Sequence, residues 1–310
     1  MSTNVQNMFV SPHSSNAMLA AGVGDLNVVS AFDGMSCGQI ALQKEGISVS
    51  NYFASEIDKY AIEVANYNFP NTKQLGNITN VKNLPKTDLL IGGSPCQGFS
   101  FAGKQLNFDD ERSKLFFEYL RLLNECKPKY FLLENVKMKK EYEDIITGYL
   151  GVKPLRINSS LVSAQNRERL YWTNIAISSL PQNKNICIGD IVGVNVSEKS
   201  DKVIVVKNIY PKKGQNGNVY ALKGKSKTLS AGVGITGNGI GSSNAPKIEW
   251  DNEQGWRRLT ALECERLQTV PDNYTKIVSD TQRYKMLGNG WTVDVVAFIL
   301  SHLKSGNTCC

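Results

Sequence analysis

Val28-Val29-Ser30-Ala31-Phe32 is a short apolar run that breaks into the turn Asp33-Gly34-Met35-Ser36-Cys37-Gly38, after which Gln39 to Glu45 resumes at helical spacing. A strand that feeds a glycine turn and then a helix is how a doubly wound α/β sheet opens, and it leaves a ligand site at the helix N-terminus. The glycines lack the G-x-G-x-x-G spacing of a dinucleotide site, so a single-nucleoside ligand fits better. Val49 to Ser55 reads as the second strand. Glu56 follows it, about twenty residues beyond the glycines, where an acid in such folds bonds ribose hydroxyls. The fold class expected is therefore α/β, built on a doubly wound mixed sheet.

A second apolar run, Leu89-Leu90-Ile91, ends in Gly92-Gly93-Ser94-Pro95-Cys96-Gln97-Gly98-Phe99-Ser100 and reads as a buried strand leading into a loop with one thiol. Most free cysteines are small inert hydrophobes, but ligands in open parallel sheets sit at the carboxyl ends of strands. The chemistry open to the chain is narrow. The two histidines, His13 and His302, lie in the terminal regions, and the seven cysteines show no C-x-x-C spacing. Neither a metal site nor a disulfide framework is expected, and a reaction would have to run on thiol, carboxylate and guanidinium groups. Leu115 to Cys126 reads as a core helix. Tyr130 to Leu133 reads as a strand ending at Glu134, and Leu155 to Val162 with Leu170 to Ile175 as a hairpin-like antiparallel pair.

Three segments change the reading of Cys96. Ser94-Pro95-Cys96-Gln97, Leu133-Glu134-Asn135-Val136 and Gln165-Asn166-Arg167-Glu168-Arg169 occur in this order, framed by the glycine turn and by Leu287-Gly288-Asn289. The ordered set resembles the DNA (cytosine-5) methyltransferase family over roughly residues 27 to 303. The resemblance implies S-adenosylmethionine as cofactor, held by Phe32, Asp33, Gly34, Met35 and Gly38 of the turn, by Glu56 at the ribose and by Ile57 against the adenine. Ile78, Pro95, Leu115, Asn289 and Thr292 would complete that pocket. Asn77 stands where many members carry an aspartate facing the adenine amino group; its amide oxygen is an acceptor without the charge.

The same resemblance implies Cys96 as nucleophile, Glu134 as the acid facing N3 of cytosine and Arg169 as the group at O2. Arg167 would support the cysteine loop or a backbone phosphate, and Asn135 and Gln165 would orient the charged groups. A thiolate suits addition to C6 because it is strongly nucleophilic and can leave again, and a carboxylic acid can donate to N3 only if burial keeps it neutral. Removal of the C5 proton has no histidine base in sight, and water is the candidate.

Charge points to the partner. The net charge is +7, and Lys202, Lys207, Lys212, Lys213, Lys223, Lys225, Lys227 and Lys247 span a stretch with no Asp, Glu or Arg, leaving the rest close to neutral. Such a stretch attracts phosphates, so duplex DNA is the expected partner, with Gln97, Ser100, Gln165, Lys225, Lys227, Thr228 and Ser230 as contacts. The glycines from Gly232 to Gly241 would allow close approach to bases. Four segments are expected: a loose arm over 1–26, a cofactor-binding and catalytic domain over 27–179, a small target-recognition domain over 180–255, and a return to the catalytic domain over 256–310. In the last, Arg257 to Gln268 opens a helix stopped by Pro271, and Tyr284 to Leu303 is read as one helix.

No apolar run is long enough to span a bilayer, and the N-terminus lacks a signal-peptide core, so a cytoplasmic monomer acting on prokaryotic or phage DNA, as in restriction-modification, is expected. The same chemistry on transfer RNA and a catalytically inactive DNA-binding homologue remain open. A nicotinamide oxidoreductase is disfavoured by the glycine spacing and the missing histidine acid or base.

Overall fold

The computed structural model describes residues 25–95, 111–231 and 245–304. Its main sheet takes β1 (Leu26–Ala31), β2 (Val49–Ser55), β3 (Lys73–Gln74), β4 (Leu89–Gly93), β5 (Tyr130–Val136) and β6 (Leu155–Asn158). After the two-residue β7 (Gln165–Asn166) it is completed by β8 (Glu168–Thr173). The strand order is β3-β2-β1-β4-β5-β8-β6. The five strands on the β3 side are parallel, and β8 runs antiparallel to both of its neighbours. This is the doubly wound mixed sheet expected from the sequence, with the β6–β8 pair antiparallel as anticipated.

Both faces of the sheet are covered, which is why its strands read as continuous apolar runs rather than alternating ones. Val28, Leu89, Ile91, Leu132 and Tyr171 point to one face and join Ile40 and Ala41 of α1 (Cys37–Lys44) and Val64 of α2 (Lys59–Asn68). Val29, Ala31, Leu90, Leu133, Leu170 and Trp172 point to the other. There they meet Phe116, Tyr119 and Leu122 of α3 (Glu111–Cys126) and Tyr142 and Ile146 of α4 (Lys140–Leu150). Burial of each Val, Leu, Ile or Phe side chain among these contributes about 1.5–3 kcal/mol. Helices α2 and α4 go beyond the sequence expectations.

After α5 (Ile188–Val192) come β9 (Val205–Asn208), β10 (Asn218–Tyr220) and β11 (Ser226–Lys227), then β12 (Lys247–Glu249) and β13 (Trp256–Arg258). Four of these form a small sheet ordered β13-β12-β10-β9, while β11 pairs with β7. The strands expected at 203–206 and 219–222 are thus displaced by about two residues and one residue. Arg257 and Arg258 lie in a strand, not in the helix they were expected to open. That helix, α6 (Ala261–Leu267), starts at a capping box between Thr260 and Glu263.

The small sheet shares the main core: Tyr220, Ile248 and Leu259 belong to the same cluster as Ile40 and Val28. Lys225 pins the junction. Its ammonium, fully buried, donates to the carbonyls of Ser160 at 2.8 Å, Ser163 at 3.2 Å and Ile186 at 2.6 Å.

The C-terminal part corrects one further expectation. In place of one helix from Tyr284 to Leu303 there are α7 (Asp280–Asn289) and α8 (Val293–Ser301), separated by Gly290-Trp291-Thr292. Gly290 leaves the helical conformation, with φ −65° and ψ 163°, and its carbonyl is taken by Arg167 rather than by the next turn. Among the described residues no helix is long and apolar enough to cross a membrane.

Two glycines inside helices make opposite demands. A β-carbon on Gly288 would lie 2.4 Å from the carbonyl carbon of Ser230 and 2.4 Å from the amide nitrogen of Ala231, so α7 and the Thr228–Ala231 segment touch backbone to backbone. A β-carbon on Gly148 in α4 would meet nothing within 4 Å. Gly288→Ala is expected to lower the unfolding free energy by about 1–3 kcal/mol through overpacking. Gly148→Ala is expected to raise it by roughly 0.5–1 kcal/mol through helix propensity. Urea titrations of the two variants check both signs.

Candidate active site

The sheet reverses its strand order between β1 and β4, and the carboxyl ends of strands at such a switch point border a crevice. Here a cavity of about 380 Å³ opens at that point. Phe32, Asp33 and Gly34 reach it from the end of β1, Glu56 and Ile57 from β2, Gly93, Ser94 and Pro95 from β4, and Glu134 and Asn135 from β5.

The turn after β1 is tightly wound. Phe32, Gly34 and Ser36 all have positive φ, at 59°, 59° and 64°, and only the glycine adopts that region at no steric cost. Asp33 holds the turn together. Its buried carboxylate accepts from the hydroxyls of Ser36 and Tyr52, the latter at 2.7 Å. Burial pushes this carboxyl up to about 6, against the opposing pull of those hydroxyls.

Glu56 crosses to the same turn. One carboxylate oxygen accepts the Gly34 amide at 2.7 Å, and the other accepts those of Ile57 and Asp58 at 2.7 and 2.8 Å. The acid is thereby fixed at the cavity wall beside Ile57, whose side chain is 74% exposed and offers a flat apolar surface. Asn77 and Ile78 close this end. Both lone pairs of the Asn77 amide oxygen are engaged by the Thr79 amide and hydroxyl, at 3.1 and 3.0 Å, so that oxygen caps its own short helical turn. Leu115 and Asn289 also line the cavity.

At the other end Glu134 is buried but not isolated. One oxygen pairs with Arg169 Nε at 3.1 Å, and the other accepts the indole N–H of Trp291 at 3.2 Å. Asn135 beside it donates to the Ser94 hydroxyl at 3.1 Å, tying the end of β5 to the segment that leads toward Cys96. Cys96, Gln97 and Ser100 lie outside the described residues. Cys37 also borders the cavity, but burial pushes its thiol up to about 12, which leaves it a poor nucleophile.

Other expected site residues are structural. Arg167 is buried and donates to the carbonyls of Leu229 at 2.8 Å, Gly288 at 3.3 Å and Gly290 at 2.9 Å, so it ties the Asn289 turn to the 228–231 segment in place of a phosphate. Gln165 is fully buried, donating to Leu267 and Gln268 and accepting the Leu229 amide. Lys225, buried among carbonyls, has no reach to DNA. Thr292 faces the interior, bonded to Ser159 and Gln268, and is not among the cavity residues.

Gly38 and Met35 are likewise set back from the cavity. A β-carbon on Gly38 would sit 2.4 Å from Ile91, so that glycine serves packing of α1 on the sheet. Met35 is buried, its carbonyl accepting the Tyr274 hydroxyl at 2.8 Å. Lys227 and Thr228 are half-buried and Ser230 is exposed.

Two residues at the site were not anticipated. Trp291 touches Glu134; its signal was an indole immediately after a Gly-Asn-Gly turn. Gln268 braces that turn, donating to Leu287 at 2.6 Å and Gly290 at 3.2 Å, and carried no signal beyond its place at the end of a helix. Among the described residues no group of His, Cys, Asp and Glu could hold a metal ion.

Comparison with known proteins adds an independent line. A family model described as C-5 cytosine-specific DNA methylase matches residues 26–147 and 156–305. Over 281 residues the chain is 36% identical to type II methyltransferase M1.ScrFI of Lactococcus lactis subsp. cremoris, covering 80% of this chain and 70% of that protein. It is 29% identical over 319 residues to type II methyltransferase M.HhaI of Haemophilus parahaemolyticus, covering 90% and 94% respectively. The crystal structure of S. pombe Dnmt2 methyltransferase shares the fold, with a TM-score of 0.66 over 92% of this chain and 100% of that one at 19% identity.

Asp33 makes the stability of the cavity wall depend on pH. With its carboxyl near 6 in the folded protein and an ordinary value of 3.8 when exposed, the native state binds the proton more tightly. Stability therefore falls as pH rises from about 4 through 6, and the cost, up to about 3 kcal/mol, is complete above that window. Asp33→Asn is expected to be more stable than the parent at pH 8 by as much as that amount and to lose the advantage by pH 4. Denaturant titrations of both proteins across that range measure the difference.

Proposed function

This chain belongs to the C-5 cytosine-specific DNA methylase family, and from that premise we propose that it transfers a methyl group from S-adenosylmethionine to C5 of cytosine in duplex DNA. One observation carries the reading. A wall suited to a nucleoside and a carboxylate–guanidinium pair share a single cavity, at the strand end from which the chain runs directly into Cys96.

The residues present fit the cofactor. Glu56 is held with its carboxylate at the cavity wall for a ribose, Ile57 offers an apolar surface for the adenine, and Phe32, Asp33, Asn77, Ile78, Pro95, Leu115 and Asn289 surround them. Once bound there, S-adenosylmethionine supplies an electrophilic methyl group.

The protein's part is to make C5 nucleophilic. The Cys96 thiolate adds to C6, forming the S–C6 bond, and the ring electrons move toward N3 and O2. Glu134 faces N3 and, in its protonated form, delivers its proton there as charge builds and takes it back when the thiolate leaves, while Arg169 holds O2, so the displaced charge is met by two groups already in contact. After methylation, loss of the C5 proton to water lets the thiolate leave and restores the aromatic ring. Asn135, through Ser94, positions the start of the cysteine segment.

A cytosine in a duplex has to rotate out of the stack to reach this cavity. The exposed Lys202, Lys207, Lys212 and Lys223 are assigned to the phosphate backbone, together with the half-buried Lys227 and Thr228 and the exposed Ser230. Lys247 is excluded from that role, being buried with its ammonium on the Asn216 carbonyl at 2.5 Å. The segment over 180–255, which carries these lysines and most of the small sheet, is read as the target-recognition part.

Incubation with methyl-labelled S-adenosylmethionine is expected to leave 5-methylcytosine in duplex DNA and not in transfer RNA. Cys96→Ala is expected to lower the rate at least about a thousandfold. Label appearing only in RNA, or a Cys96→Ala protein of full activity, would overturn the substrate or the mechanism respectively. Lys202→Ala with Lys223→Ala is expected to reduce the slope of log affinity against log salt by about two, roughly one per phosphate contact. An unchanged slope in titrations from low to moderate salt would remove these lysines from the DNA face.

A further inference from the structure

We propose that Trp291 is a positioning residue for Glu134, and that Gly93 is a glycine because a side chain there would occupy the route by which the indole reaches the acid. The proposal rests on the reading of Glu134 as the group facing N3. Trp291 Nε1 donates to Glu134 Oε2 at 3.2 Å, while Arg169 Nε holds Oε1 at 3.1 Å. The carboxylate is thus gripped from two sides, and its plane is fixed by two donors rather than one.

The third member of the arrangement comes from the neighbouring strand. Gly93 and Glu134 are register partners in the parallel pairing of β4 with β5. A β-carbon on Gly93 would lie 2.8 Å from Trp291 Nε1 and 3.1 Å from Glu134 Oε2, crowding both ends of the hydrogen bond from the side. The space left by the absent side chain is filled by the indole edge.

The indole is also held on a rigid arm. The carbonyl of Gly290 is taken by Arg167 at 2.9 Å and by Gln268 at 3.2 Å, and the hydroxyl of Thr292 contacts Ser159 and Gln268 at 2.8 and 2.9 Å. Trp291 therefore stands between two anchors, a backbone carbonyl before it and a side-chain hydroxyl after it. A ring without its N–H would leave a nearly buried carboxylate oxygen short of a donor, and such losses at charged groups are large.

The sharpest test replaces Trp291 with its benzothienyl isostere, which keeps the ring and removes only the N–H. The variant is expected to keep its KM for S-adenosylmethionine while kcat falls about tenfold to a hundredfold. Gly93→Ala is expected to show the same split. Gly93→Ala combined with Trp291→Phe is expected to be no slower than Trp291→Phe alone, because both changes break one contact. An isostere at the parental rate, or additive losses in the double variant, would overturn the proposal.

The contact has a readout independent of turnover. The chain has four tryptophans, and the indole N–H resonance of Trp291, assigned by its loss in Trp291→Phe, is expected to shift on Glu134→Gln and on Gly93→Ala. A resonance that ignores both substitutions would remove the hydrogen bond. A protein that shows these shifts yet methylates no cytosine would contradict the proposed function and leave the contact standing.

Discussion

The parallel pairing of β4 with β5 places Gly93 beside Glu134 at the carboxyl end of the sheet, and the site depends on that register. Leu89 to Ile91 and Leu132 to Leu133 are fully buried against both helical layers, so the pair cannot slip by one residue without turning its whole apolar set to the wrong face. With the register locked, the backbone of one strand delivers the acid. The other ends in two glycines and runs through Ser94-Pro95 to Cys96, the proposed nucleophile. Neither strand has to be specialised for chemistry along its length; only the residues at its end face the cavity.

Around this pair, buried cations act as clamps on backbone carbonyls. Arg167 gathers carbonyls from Leu229, Gly288 and Gly290, and Lys225 gathers those of Ser160, Ser163 and Ile186. A buried charge is costly unless its donors are satisfied, and each of these is satisfied by carbonyls from segments distant in sequence. The consequence is mechanical. The α7–α8 connection, the 228–231 segment and the small sheet are joined to the main sheet at points within reach of the cavity, so the cavity wall is rigid where Trp291 projects from it.

The parts of this arrangement that were legible in the sequence are those written in contiguous residues. The strand from Val49 to Ser55, the glycine turn with its positive-φ Gly34, and Glu56 on the cavity wall follow from local pattern, because hydrophobic runs and glycine spacing are local properties. Side-chain direction is not local. Lys225 and Lys247 count as positive charges in any window of the chain, yet both ammonium groups point inward to carbonyls, so a charge run overstated the surface available for phosphates. Gln165 and Thr292 sit within motifs but turn into the protein. The apolar run after Val293 joined smoothly to Tyr284 at helical spacing, and the break at Gly290 became visible only through the arginine that claims its carbonyl. Trp291 could not be connected to Glu134 from sequence, since 157 positions separate them.

On this account the Cys96 thiol, in the segment that follows β4 in sequence, bonds reversibly to the ring of a cytosine held by Glu134 and Arg169. Duplex DNA containing 5-fluorocytosine tests it most directly, because a fluorine at C5 cannot leave as a proton does and the sulfur–carbon bond is trapped. The account predicts a denaturation-resistant complex of protein and DNA that requires S-adenosylmethionine, maps by mass spectrometry to Cys96 and is absent for Cys96→Ser. A protein that methylates ordinary DNA yet forms no such complex, or forms it through another residue, would contradict the account.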